Sequence, residues 1–138
     1  MRILALDYGS KRVGVAVSDP LKMIAQPLEY LDAEPFPTLA EHIKRIIREQ
    51  EIELIIVGMP RNMDGSYGDA AARVRVFVAA LKDVVLVPIK SWDERLTTTQ
   101  ANRALIAGNV RRTDRKQKVD MTAAAILLQS YLDFLSMQ

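Results

Sequence analysis

Three carboxylates stand in this 138-residue sequence where a negative charge is costly. Asp7 ends the apolar run Ile3-Leu4-Ala5-Leu6. Glu94 follows a second apolar stretch, within Asp93-Glu94-Arg95. Asp120 comes just ahead of Ala123, Ala124 and Leu127, spaced i+3, i+4 and i+7 from it on one helical face. Removing a carboxylate from water costs free energy unless a cation or hydrogen-bond donors compensate. Three carboxylates brought together repel one another unless divalent cations neutralise them. An all-oxygen donor set of this kind suits Mg²⁺ or Mn²⁺. Two such ions roughly 4 Å apart activate water and stabilise the leaving oxygen in phosphodiester cleavage. Each acid also has a local alternative. Asp7 could accept from the amides of Gly9 or Ser10, Asp120 could cap a helix, and Glu94 could pair with Arg95 or Arg61.

Basic residues gather near these acids. Arg103, Arg111, Arg112, Arg115, Lys116 and Lys118, opposed only by Asp114, form the densest positive stretch and lie immediately before Asp120. Charge clustered in this way can hold a phosphate backbone. Lys11 and Arg12, at a turn after Asp7, are candidates of the same kind. Arg61 lies in a loop carrying Gly58, Pro60, Asp64, Gly65 and Gly68. This loop follows an apolar strand and precedes a helix, a usual position for a binding loop. It lacks the Gly-Lys-Ser/Thr of a Walker A phosphate loop. His42, the single histidine, falls on a helix flank, and Trp92 reads as a packing residue.

The elements that must position these residues follow from periodicity. Residues 3–6 and 13–17 flank the turn Gly9-Ser10-Lys11-Arg12 and read as a β-hairpin. Residues 23–31 contain Pro27, which suits an edge strand or a bulge. Thr38-Leu39-Ala40-Glu41 has the form of a capping box, and a helix should run from there to about Gln50. Residues 53–58 form a continuous apolar run, expected of a strand buried on both faces. Asp69 can cap the next helix. Residues 84–89 read as another strand and residues 97–107 as a helix, with a last helix over 120–135. Three strands followed by alternating helices and strands predict an α/β domain with a mixed five-stranded sheet flanked by helices. One domain should span residues 1–138.

Composition excludes several classes. The hydrophobic share of 49% and charged share of 26% are those of an ordinary globular protein rather than a disordered one. No apolar run approaches the roughly 20 residues of a membrane span. Cysteine is absent, which removes disulfides and thiolate metal sites. Together with an N-terminus that enters a strand pattern at once, without a signal-peptide core, this gives the expectation of a cytoplasmic protein. Net charge is only +2, so nucleic-acid binding would depend on local clustering.

Four segments, in order along essentially the whole chain, carry a family resemblance: Asp7-Tyr8-Gly9-Ser10-Lys11-Arg12-Val13-Gly14, Gly58-Met59-Pro60-Arg61-Asn62-Met63-Asp64-Gly65, Asp93-Glu94-Arg95-Leu96-Thr97, and Asp120-Met121-Thr122-Ala123-Ala124. The chain resembles the YqgF (RuvX) family of bacterial RNase H-like proteins, described as pre-16S rRNA nucleases or Holliday-junction resolvase-like proteins. The resemblance implies an RNase H-like fold and divalent-metal-dependent endonuclease activity. It further implies maturation of the 5′ end of 16S rRNA, with branched DNA as the alternative substrate. The acidic residues of the family carry over onto Asp7, Glu94 and Asp120, with Mg²⁺ or Mn²⁺ as cofactor. A monomer and a homodimer are both compatible. Two other readings are an actin/Hsp70-type ATPase, which needs a second Asp-x-Gly hairpin absent here, and a non-catalytic ribosome-assembly factor.

Overall fold

The computed structural model describes residues 1–60, 68–93 and 122–137. Its centre is β1 (Arg2–Tyr8), which has a strand neighbour on each side and whose apolar run is buried on both faces by the helices that cover the sheet. Strand β2 (Arg12–Ser18) returns antiparallel to it, with Asp7 opposite Gly14. The turn between them is closed by the Gly9 amide, which donates to the Arg12 carbonyl at 2.9 Å. Strand β3 (Ala25–Asp32) pairs antiparallel with β2 and forms one edge. Its register shifts where Ala16 meets Pro27, the irregularity that a proline without a ladder donor predicts.

Helix α1 (Phe36–Gln50) then crosses to β4 (Ile52–Met59), which lies parallel to β1. Ile55, Ile56 and Val57 are fully buried, as expected of a parallel strand covered on both faces. Helix α2 (Asp69–Lys82) leads to β5 (Ile89–Asp93), parallel to β4 at the other edge. The sheet order is β3-β2-β1-β4-β5, mixed and five-stranded as expected. Helix α3 (Ala123–Ser136) covers the opposite face from α1 and α2. Two cores result. Leu4, Leu6, Val13 and Val15 pack towards Ile43, Ile46, Val74 and Phe77, whereas Ile3, Ala5 and Ala16 pack towards Leu127, Leu128 and Tyr131.

Several boundaries differ from the sequence expectations. The Thr38–Glu41 capping box is not used. Helix α1 begins at Phe36, with Pro37 in its first turn, where a fixed φ and a missing N–H are tolerated. Glu41 instead lies 3.5 Å from Lys44. Gly68, not Asp69, is the N-cap of α2, and Asp69 occupies the first turn, where its charge complements the helix dipole. The last strand spans 89–93 rather than 84–89. The amides of Val84 and Val85 still donate to the Leu81 carbonyl at the end of α2, and pairing with β4 starts only after Pro88. Helix α3 starts at Ala123, and its cap is Thr122, whose hydroxyl accepts from the Ala125 amide at 3.2 Å. The capping role considered for Asp120 is therefore filled by Thr122. The helix expected over 97–107 lies outside the described residues.

Candidate nuclease site at the strand ends

Asp7 is held by the alternation of β1. Ile3 and Ala5 face α3, so Asp7, two residues further on, points to that face as well. Tyr8 points the other way and stacks on Phe77 with ring centroids 4.5 Å apart. It lines a cleft of about 580 Å³ with Phe36 and Phe77, on the face away from Asp7. Asp7 itself is partly buried, and among the described residues no cation or hydrogen-bond donor pairs with its carboxylate. The turn reading of Asp7 is not realised: the Gly9 amide donates to the Arg12 carbonyl, and the Asp7 carboxylate accepts from neither Gly9 nor Ser10.

The space beside Asp7 comes from a missing side chain. A Cβ built on Gly14 would stand 3.7 Å from the Asp7 Cβ, 3.6 Å from the Ala124 Cβ and 3.4 Å from the Tyr30 Cε1. The first turn of α3, the cross-strand partner of Asp7 and the ring of Tyr30 therefore meet at one point. Further along, helix α3 is tied to the start of β3 by Gln129, which accepts from the Ala25 amide at 2.9 Å and donates to the Met23 carbonyl at 3.0 Å.

The end of β5 is fixed from the same side. Trp92 donates from its indole Nε1 to Ser130 Oγ at 3.1 Å and packs edge-on against Tyr131, centroids 5.1 Å apart. The packing role expected for Trp92 is what the structure shows. Leu6, Val57 and Ser91 form one row across the three parallel strands, so Asp7 stands one step past that row and Glu94 is the third residue after Ser91. Asp120 precedes the Thr122 cap by two residues. Glu94 and Asp120 both lie outside the described residues, as do Arg61, Arg111, Arg112, Arg115, Lys116 and Lys118. Lys11 and Arg12 are exposed at the turn after β1, and the Arg12 guanidinium lies over the Tyr30 ring, 5.0 Å from its centroid. His42 is exposed on the flank of α1.

Neither Tyr30 nor the vacancy at Gly14 was singled out from sequence. Tyr30 reaches this site only through the β2–β3 register, which depends on where the bulge falls.

The RuvX family of Holliday junction resolvases matches residues 1–134. The chain belongs to the RuvX family. A RuvX relative from Halothermothrix orenii, named "Putative pre-16S rRNA nuclease", is 48% identical over 134 residues, covering 97% of this chain and 96% of that protein. A relative of the same name from Clostridium kluyveri is 42% identical over 136 residues, covering 99% of each. Among solved structures, Thermus thermophilus RuvC superposes with a TM-score of 0.62 at 13% identity, covering 99% of this chain and 96% of that one. The fowlpox virus resolvase bound to Holliday junction DNA gives 0.53 at 13% identity, covering 98% and 99%. At these identities the likeness is one of fold, the RNase H-like fold of RuvC. Membership of RuvX makes the protein a nuclease, a hydrolase of phosphodiester bonds. Among the described residues no helix is long and apolar enough to cross a membrane.

Proposed function

We propose that this protein is a divalent-metal-dependent endonuclease that trims the 5′ end of precursor 16S rRNA in the bacterial cytoplasm. The observation that carries this reading is Asp7: a partly buried carboxylate at the end of a central strand, without a partner among the described residues. An unpaired charge in that position is costly unless something outside the protein chain neutralises it. The shared name of the relatives, whose lengths the chain nearly spans, supports rRNA as the substrate.

The donors fit a hard cation. Asp7 offers only oxygen, has room beside it at Gly14, and among the described residues has Ala5 and Ala124 rather than nitrogen or sulfur ligands on its side of the sheet. In this reading Asp7, Glu94 and Asp120 hold Mg²⁺ or Mn²⁺. The chemistry such ions supply when bound is activation of water and neutralisation of charge on the phosphoryl oxygens. The protein's own part is placement. The pairing of β1 with β2 and β4 keeps the Asp7 backbone still, and Lys11, Arg12, Arg61, Arg111, Arg112, Arg115, Lys116 and Lys118 grip the nucleic-acid backbone.

The test is a cleavage assay with Mg²⁺ or Mn²⁺ on a precursor 16S rRNA 5′ segment and on a four-way DNA junction. Cutting of the RNA at a defined 5′ position is the expected result. Cutting of the junction alone would move the assignment to DNA recombination, and cutting of neither would contradict the enzymatic reading.

A further inference from the structure

Asp7, Gly14 and Tyr30 stand in one row across β1, β2 and β3, each opposite the next in the register. Directly opposed residues of antiparallel strands project to the same face, so Tyr30 shares the face of Asp7. With no side chain on Gly14, the Tyr30 ring comes within 3.4 Å of where a Cβ would be. Tyr30 nevertheless remains 53% exposed, although it is a large aromatic on a sheet covered in part by α3. Arg12 is two residues before Gly14 and therefore on the same face. Asp32 stands opposite Arg12 in the register, yet among the described residues no carboxylate forms an ion pair with Arg12. Its guanidinium lies over the Tyr30 ring instead.

The difference matters chemically. A carboxylate partner would occupy the N–H donors of Arg12. A ring takes only the flat face of the guanidinium and leaves its in-plane donors free. Those donors match a phosphate, which accepts two parallel hydrogen bonds from one guanidinium. Tyr30 also restricts a long side chain that would otherwise sample many rotamers, so less entropy is lost on binding.

We propose that Tyr30 is a positioning residue, laid across Gly14 to hold Arg12 as a clamp for one phosphate of the nucleic-acid strand that passes Asp7. This rests on the nuclease reading above and adds to it a residue, a geometry and a ligand group. The clamp is made for a phosphodiester and does not read base identity.

The test uses the full chain carrying Asp7→Asn, so that binding is measured without cutting. Its probes are a hairpin RNA and a four-way DNA junction, with dissociation constants taken across a salt series. Tyr30→Leu and Arg12→Ala should each weaken binding about tenfold and lower the slope of log affinity against log salt by about one. Tyr30→Phe should keep both values, because the ring is what holds Arg12. The double variant should bind no worse than Arg12→Ala alone. A Tyr30→Leu variant with the parent's slope, or a double variant whose losses add, overturns the proposal. If Tyr30→Leu does not fold, Arg12→Lys decides: it keeps the charge but not the planar fork. It should lose affinity as Arg12→Ala does, and parental affinity would overturn the clamp. Failure of the parent to bind either probe would instead count against the nuclease reading itself.

Discussion

Asp7 and Tyr8 are neighbours that leave β1 on opposite faces, and the two ends of this small segment do different work. Tyr8 joins the core through its stack on Phe77, whereas Asp7 faces α3 with no partner among the described residues. Gly14 stands opposite Asp7 on β2. Its added Cβ would make contacts of 3.4 to 3.7 Å, all ordinary van der Waals distances. Gly14→Ala should therefore fold with a stability change within about 1 kcal/mol. Gly14→Leu has no such room and should cost about 1–3 kcal/mol while displacing Asp7, Tyr30 or the first turn of α3. Urea unfolding of the two variants checks the size of each effect, and equal midpoints would show that the space is not tightly bounded. The position of Asp7 was legible from sequence because a carboxylate ending an apolar run is anomalous wherever it occurs. The glycine was visible only as a motif letter, because its role depends on what stands across from it.

At the scale of elements, α3 matters most for the site, since it brings its N-terminus beside Asp7. Thr122 caps that end through the Ala125 amide, so Thr122→Ala should cost about 1 kcal/mol and Thr122→Ser should restore it. Chemical denaturation of the three proteins is the check, and an unaffected Ala variant would remove the cap from the account. The loop between β2 and β3 is held in a different way. Asp19 accepts from the amides of Ile24 and Met23, at 2.9 and 2.7 Å, and these bonds hold its carboxyl below the ordinary range, Ile24 being the larger cause. A depressed folded value means that the charged form contributes stability above the unfolded value, near 4. That contribution disappears as pH falls through the lower folded value. Asp19→Asn keeps an acceptor oxygen but cannot titrate, so its Tm should fall less steeply than the parent's between about pH 5 and 2. Parallel curves would contradict this. Element types and order among the described residues were readable because β4 carries the unbroken apolar run Leu54-Ile55-Ile56-Val57 and α1 has a clean stripe of Leu39, Ile43 and Ile46. Boundaries were less so. The capping box lost to Pro37, and the strand expected at 84–89 moved because Val84 and Val85 stay bonded to the end of α2.

For the whole molecule, the sheet order β3-β2-β1-β4-β5 puts the carboxyl ends of β1, β4 and β5 at one end, and α3 starts at that end. Sites in open α/β sheets form outside such strand ends. Sequence reasoning could place Asp7, Glu94 and Asp120 at element ends without showing that they converge. The described structure supplies the geometry for Asp7, for the end of β5 at Asp93, which Glu94 directly follows in sequence, and for the helix start that comes after Asp120. RuvX membership makes the activity that of a nuclease, and with a net charge of +2 the proposed grip on nucleic acid calls for local clusters of charge rather than overall attraction. The central claim is that Asp7 is a metal-holding carboxylate on which cleavage depends. It is tested most directly by comparing the wild-type protein with Asp7→Asn on the precursor 16S rRNA 5′ segment, with and without Mg²⁺ or Mn²⁺. Wild type should cut only with the ion present, and Asp7→Asn should bind and fold as wild type does while cutting at least 100-fold more slowly, roughly the loss of one main electrostatic contributor. Cleavage by Asp7→Asn at the wild-type rate, or wild-type cleavage that persists in a chelator, would contradict the account.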